Sequence, residues 1–276
     1  MSLNMSRLCD ALGVEVAGIN LAASVSEQDV ETLQATLADR LVMVIRDQCL
    51  APIQLLAALR LFGETMPQHL SGMLMPDHPE IAVLDSRKAP KGSDGRVMPV
   101  GSRAWHTDHT NHAKPPKVTA LYAVQLPESG GDTSFANMQL AYARLPEAQR
   151  AELAGLRTVN KIEDHGYVTA ADRERFGNHQ RHPLIRTHPE TGKQGIYLHP
   201  GKTERIEGME PDASRVFVDS LLDQTIDSHV TYRHQWHPGD LVLWDNRGVM
   251  HQAHADYDMQ AGRVMHRVLL EGEIPR

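Results

Sequence analysis

A chain of 276 residues with 41% hydrophobic and 23% charged side chains can bury a large core, which excludes global disorder. Its formal charge of −7, with no Lys/Arg run, argues against nonspecific binding to nucleic acid. No apolar run reaches membrane-spanning length, the start lacks a signal-peptide pattern, and Cys9 and Cys49 form no motif, so a cytoplasmic protein with no membrane partner is expected.

Residues 13–19 alternate apolar and polar, which predicts a strand. Ser26 is placed to cap a helix carrying Val30, Leu33, Leu37 and Leu41 at helical spacing, with Asp29 at its third position. The β-branched run 41–45 turns the chain into a buried strand, and a second helix over 52–62 stops at Gly63. A short strand at 81–84 precedes a Lys/Gly/Pro/Ser-rich stretch, 85–101, read either as a lid or as a plain solvated loop. Further strands are expected at 118–126, 134–136, 184–187, 195–198, 229–236, 240–244 and 263–270, with helices at 138–144, 146–156 and 211–224. Residues 160–181 are polar, show no period, and read as an insertion between strands. Many short strands without an internal repeat or linker predict one mainly β domain over 1–276, a sandwich or barrel.

The chain has 16 histidines, so a lone histidine says little. The stretch Trp105-His106-Thr107-Asp108 says more. Residues two apart on an extended segment point to one side, so His106 and Asp108 can converge on a metal ion. Two histidines and one carboxylate leave a face of an octahedral iron(II) open for cosubstrate and dioxygen. His251 can supply the third ligand, because it follows a strand and precedes the last one. Arg263 and Arg267, 12 and 16 residues beyond His251, share a face of that last strand and can hold anions. A metal-binding barrel without catalysis would keep the ligands but would not need the arginines.

The segments WHTD (105–108), PP (115–116), GGDTSFANM (130–138), HPLIRTHPETGK (182–193), IEGM (206–209), WHPGDLVLWDNRGVMH (236–251) and RVMHR (263–267) together resemble the TauD/TfdA family of iron(II)- and 2-oxoglutarate-dependent dioxygenases. The resemblance implies a double-stranded β-helix, or jelly roll, with helices outside. It implies His106, Asp108 and His251 as iron ligands, with no catalytic residue beyond the metal centre. It implies Thr133 and Arg263 on the distal carboxylate of 2-oxoglutarate, with Arg267 near both the cosubstrate and the substrate's acidic group. Trp244 is expected as a wall, and Asp245 and Asn246 as the turn before His251. The implied reaction consumes 2-oxoglutarate and O2, releases succinate and CO2, and hydroxylates a substrate C–H.

His69 falls near the position of a sulfonate-contacting histidine in taurine-oxidising members, across an uncertain register. His109 is a further candidate for substrate contact, although His109 and His112 both read first as solvated loop histidines. Met73 to Met75 and Ser102 stand where those members carry a tyrosine and an asparagine for the amine end. The expected substrate is therefore a small organic anion: an alkyl or aryl sulfonate, alkyl sulfate or aryloxyalkanoate, with taurine as runner-up. A homodimer or homotetramer is expected from the resemblance.

Overall fold

Alternation of side chains along short strands organises the molecule into layers. The protein is described here by a computed structural model covering residues 3–68, 71–89, 101–163 and 168–276. Its main sheet has eight strands, in the order Asn4–Arg7, Val14–Ala17, Val42–Ile45, Leu241–Asp245, Val118–Gln125, Val264–Leu270, His78–Asp85 and Leu74–Met75. Within this sheet Val14–Ala17 and Val42–Ile45 pair in parallel, and the helix Glu27–Arg40 makes the crossover that a parallel pair requires. A smaller sheet has the order Thr231–His234, Thr133–Asn137, Val249–Ala253.

Period two decides what each strand buries. Met43, Ile45, Leu241, Leu243, Val268 and Leu270 look outward and pack on Leu33 and Leu37 of the first helix and Leu55, Leu56 and Leu59 of the second, Pro52–Arg60. The alternate residues Val42, Val44, Leu121, Val242, Trp244 and Met265 look inward and share a core with Phe135 and Val249 of the smaller sheet. Two packed sheets with helices outside are the jelly roll that the resemblance implies. Burying residues such as Leu33 and Leu55 contributes about 1.5–3 kcal/mol each.

Local chemistry sets the first elements as expected. The Ser26 Oγ accepts from the Asp29 N–H at 3.2 Å and donates to Asp29 Oδ2 at 2.7 Å. Leu41 ends the helix in the left-handed region, with φ 67°, and the chain passes directly into the strand Val42–Ile45.

The expectation of an irregular insertion at 160–181 is corrected by the structure. Arg157–Asn160 pairs with Gln180–Pro183 on one side and Thr203–Ile206 on the other, and a helix spans Ala170–Phe176. These strands read RTVN, QRHP and TERI, so their polar side chains hide a backbone ladder. The edge strand Asn4–Arg7 escaped sequence reading for the same reason.

Candidate metal and cosubstrate site

Two of the expected ligands are neighbours across a backbone bridge. The His106 N–H donates to the His251 carbonyl at 3.0 Å, and the His251 N–H donates to the His106 carbonyl at 2.8 Å. Such a pair directs both side chains to one side, and the imidazole centroids lie 4.1 Å apart. Asp108, two residues on, brings its carboxylate to 3.9 Å from His106 Nε2 and 4.0 Å from His251 Nε2. These gaps exceed hydrogen-bond length, so the three groups do not consume one another's lone pairs. One ligand atom from each lies within 4.8 Å of the others, all three residues are buried, and the set could hold a metal ion.

The surrounding bonds orient the ligands. His106 Nδ1 lies 2.9 Å from the Ala104 carbonyl, which can only accept, so Nδ1 carries the proton and Nε2 keeps its lone pair. Asp108 Oδ2 accepts from the Thr119 hydroxyl at 2.6 Å, and Thr119 Oγ1 accepts from Asn246 Nδ2 at 2.8 Å. Asn246 Oδ1 in turn accepts from Trp244 Nε1 at 3.1 Å, while the Trp244 ring packs 4.5 Å from that of His251. Trp244 is the expected wall. Asp245 and Asn246 form the expected turn, with the Gly248 N–H donating to the Asp245 carbonyl at 3.1 Å. They also do more than turn the chain. Asp245 is buried and accepts from His188 Nε2 at 3.1 Å, Arg247 Nε at 2.8 Å and Arg247 Nη2 at 2.6 Å, which anchors the segment that carries Asn246.

Protonation matches what a metal needs. Burial holds the His251 imidazole down at about 3, and burial likewise lowers His106 against the opposing charge of Asp108. Burial alone would raise Asp108, but His251, His106, Arg267 and the Thr119 hydrogen bond together hold it below the usual carboxylate range. Neutral imidazoles and an ionised carboxylate are the ligating forms.

The other end of the site is cationic. Arg263 is 6% exposed, donates through Nε to the Gly131 carbonyl at 3.0 Å, and lies 5.8 Å from the centre of the Trp236 ring. It has no carboxylate partner among the described residues, and burial pushes its guanidinium pKa down. Gly131 stands at φ 76°, and a Cβ there would lie 3.0 Å from Arg263 Cδ, so glycine is what lets the arginine pass. The Gly131 N–H donates to Asp256 Oδ1 at 2.8 Å, and Arg233 ties Asp256 to Asp132 at 2.8 and 2.7 Å. Thr133 is buried and accepts from Trp236 Nε1 at 3.1 Å, which leaves its hydroxyl proton to donate. Thr133 and Arg263 thus meet around Trp236. Arg267 is partly buried; among the described residues its side chain bonds only Gln68 Oε1, from Nε at 3.3 Å and from Nη2 at 3.0 Å, and it feels the charge of Asp108.

Several expectations need adjusting. His69 and residues 90–100 of the loop before the ligands lie outside the described residues. His109 and His112 are buried, at 5% and 6% exposure, and are not solvated. His109 adopts φ 51°, while His112 stacks on Phe176 at 4.4 Å and burial lowers its pKa to about 4. The helix Ala170–Phe176 that covers His112 lies in the segment read as an insertion, so this burial was not visible locally. Arg186 is ion-paired with Glu273, is 1% exposed and sits over Tyr197. His266 points away from Arg267, towards Tyr122, as period two requires. His254 meets Ser134 Oγ at 2.8 Å.

Sequence reasoning also missed Thr119, His199, Lys202, Glu163 and Gln68. Thr119 is a polar residue inside an apolar strand, which is the one signal that could have flagged it. His199 is buried with its ring 4.9 Å from that of His106, and Lys202 Nζ donates to Glu163 Oε2 at 2.8 Å beside it. Gln68 had no signal beyond its place after Gly63.

A jelly roll holding two histidines and one carboxylate falls in the class of non-haem iron(II) oxygenases. Within that class the chain belongs to the TauD/TfdA dioxygenase family: the model for taurine catabolism dioxygenase TauD, TfdA family, matches residues 5–269. Members of this family use iron(II), 2-oxoglutarate and O2. Pentalenolactone F synthase of Streptomyces arenae is 31% identical over 94% of this chain and 91% of its own. The alkylsulfatase of Acinetobacter baylyi is 31% identical over 99% of this chain and 86% of its own. The alpha-ketoglutarate-dependent 2,4-dichlorophenoxyacetate dioxygenase of Burkholderia sp. (strain RASC) is 30% identical over 99% and 95%. Among solved structures, a taurine dioxygenase from Burkholderia xenovorans superposes with a TM-score of 0.83 at 28% identity, covering 100% of this chain and 91% of its own.

Proposed function

We propose that the protein hydroxylates a C–H bond of a small organic anion, an alkyl or aryl sulfonate, an alkyl sulfate or an aryloxyalkanoate. The observation that carries this reading is the inward face of the last strand. Arg267 lies on it and Arg263 stands immediately before its first residue, Val264, and neither meets a carboxylate among the described residues. Guanidinium groups withdrawn from water without a counter-ion are costly. Two of them beside a metal-ligand cluster are accounted for by two anionic ligands, one the cosubstrate and one the substrate. Relatives named for alkyl sulfate, sulfate ester, sulfonate and phenoxy acids support the same chemistry.

In this reading His106, Asp108 and His251 hold iron(II). Thr133 donates to the distal carboxylate of 2-oxoglutarate and Arg263 pairs with it, while Arg267 takes the substrate's anionic group. The metal centre with 2-oxoglutarate and O2 supplies the oxidising power, one oxygen atom ending in succinate and the other in the product. The chain binds, orients and excludes water. Trp244 and His199 crowd the ligands with buried rings, and Thr119 and Ala104 fix which ligand atoms face the metal. Where the hydroxylated carbon carries a sulfate, sulfonate or ether oxygen, the product fragments. Cys9 and Cys49 are both unbridged, which agrees with a cytoplasmic setting.

A panel of sulfonates, sulfates and aryloxy acids, each beside its neutral analogue, tests this by substrate-stimulated oxygen uptake and succinate release. The expected result is stimulation by at least one anion and not by its neutral analogue. Stimulation by neutral compounds alone would overturn the reading.

A further inference from the structure

Gln68 is 7% exposed, and every hydrogen-bonding position of its amide is occupied. Thr65 bridges Leu270, and the Met66 N–H donates to the Leu269 carbonyl at 2.7 Å, so this segment runs antiparallel to the end of the last strand. Continuing that register sets residue 68 opposite 267. Gln68 Nε2 donates to the Glu80 carbonyl at 3.1 Å and the Arg267 carbonyl at 2.8 Å, joining two strands where they part. Its Oε1 accepts from Arg267 Nε at 3.3 Å and Nη2 at 3.0 Å. A flipped amide would set N–H against N–H and oxygen against carbonyl, so the network fixes its orientation.

We infer that Gln68 is a positioning residue for substrate: it holds the Arg267 guanidinium in place and, being neutral, leaves the full positive charge to the substrate's anionic group. This rests on Arg267 being the substrate anchor. Of the five guanidinium N–H groups, Gln68 takes one on Nε and one on Nη2. Both on Nη1 and the second on Nη2 have no protein acceptor among the described residues, and that edge can grip a carboxylate, sulfate or sulfonate in bidentate fashion. A glutamate at 68 could accept the same two bonds, but it would cancel the charge. The amide therefore separates holding the arginine from neutralising it.

The test uses the full-length protein and two variants, Gln68→Ala and Gln68→Glu. The first readout needs no substrate. The Arg267 Nε–H resonance in 15N-arginine-labelled protein is expected to be protected from exchange in wild type and to lose that protection in Gln68→Ala. Unchanged protection would overturn the inference even if the substrate class is wrong. The second readout is the ratio of KM values for the most effective panel anion and its neutral analogue, an alkyl sulfate against the alcohol or an aryloxyacetate against its amide. Gln68→Ala is expected to raise the anion's KM roughly tenfold, the size of one lost charge-assisted hydrogen bond. Gln68→Glu is expected to erase the preference for the anion while the anaerobic absorption of the iron–2-oxoglutarate complex persists. A purely structural lesion would raise both KM values together, and a retained anion preference in Gln68→Glu would overturn the inference. Failure of every panel anion with wild type would instead refute the substrate reading.

Discussion

Thr119 donates its hydroxyl proton to Asp108 Oδ2 across 2.6 Å, from inside a strand whose neighbouring side chains are mostly apolar. The bond occupies one carboxylate oxygen and leaves Oδ1 for a metal. Asn246 completes the relay by donating to Thr119 at 2.8 Å, which leaves the threonine proton no other direction. Thr119→Val keeps the shape and removes the donor. Its metal affinity is expected to fall roughly 10- to 100-fold, with Thr119→Ser restoring most of it. Titration with iron(II) under anaerobic conditions reads this, and wild-type affinity in the valine variant would refute the role.

Arg263 is buried with no carboxylate partner among the described residues, so it should matter to the ligand more than to the fold. Arg263→Gln is expected to weaken 2-oxoglutarate binding by about 2–5 kcal/mol. Stability of the ligand-free protein should hold or rise, because a desolvated charge has been removed. Anaerobic absorption titration and thermal unfolding together decide it. A variant that unfolds more readily yet binds 2-oxoglutarate normally would show a structural arginine instead.

The buried histidines make stability depend on pH. Burial lowers the pKa of His112 to about 4, and lowers His182, His234 and His266 as well. A folded-state pKa below the unfolded value of about 6.5 means that the unfolded chain binds more protons in the window between them. Stability is therefore complete above about pH 6.5 and declines as pH falls towards 4. For His112 the loss is on the order of 3 kcal/mol across that window. Urea midpoints at pH 7, 5.5 and 4.5 measure the decline. His112→Phe, which can keep the stack on Phe176, is expected to flatten it.

Arg247 closes both carboxylate oxygens of Asp245 in the interior, at 2.8 and 2.6 Å. Arg247→Ala leaves that carboxylate buried with only His188 and backbone donors, at a cost of about 3–5 kcal/mol. The same change loosens the turn carrying Asn246, so metal affinity should fall with stability. Denaturant unfolding and metal titration on one preparation test the coupling. A destabilised variant with unchanged affinity would separate the two.

Where sequence reasoning succeeded, the information was periodic. The spacing of His106 and Asp108, the inward alternation of Arg263 and Arg267, and the cap at Ser26 all follow from geometry within a few residues. The reach to His251 came from family resemblance and is realised as a backbone bridge that no local pattern encodes. Thr119 reads as one more strand residue until the register against Leu241–Asp245 sets it beside Asn246. Polar strands such as TERI and QRHP are held by backbone hydrogen bonds, which side-chain chemistry does not announce. His109 and His112 sit in a polar stretch, and His112 is covered by a helix some sixty residues away. Gln68 depends on the closing of the last strand, nearly two hundred residues on.

The last strand is hydrogen-bonded along both edges, to His78–Asp85 and to Val118–Gln125, and cannot slide. Arg263, immediately before the strand, and Arg267, within it, are four residues apart, a reach of about 13 Å for extended chain. On the proposed reading, with the cosubstrate at one and the substrate head group at the other, this span would act as a ruler. The carbon oxidised would then be counted from the anionic head and not from the tail. Across a homologous series of alkyl sulfates, lengthening the chain should change affinity while product analysis finds the same carbon oxidised.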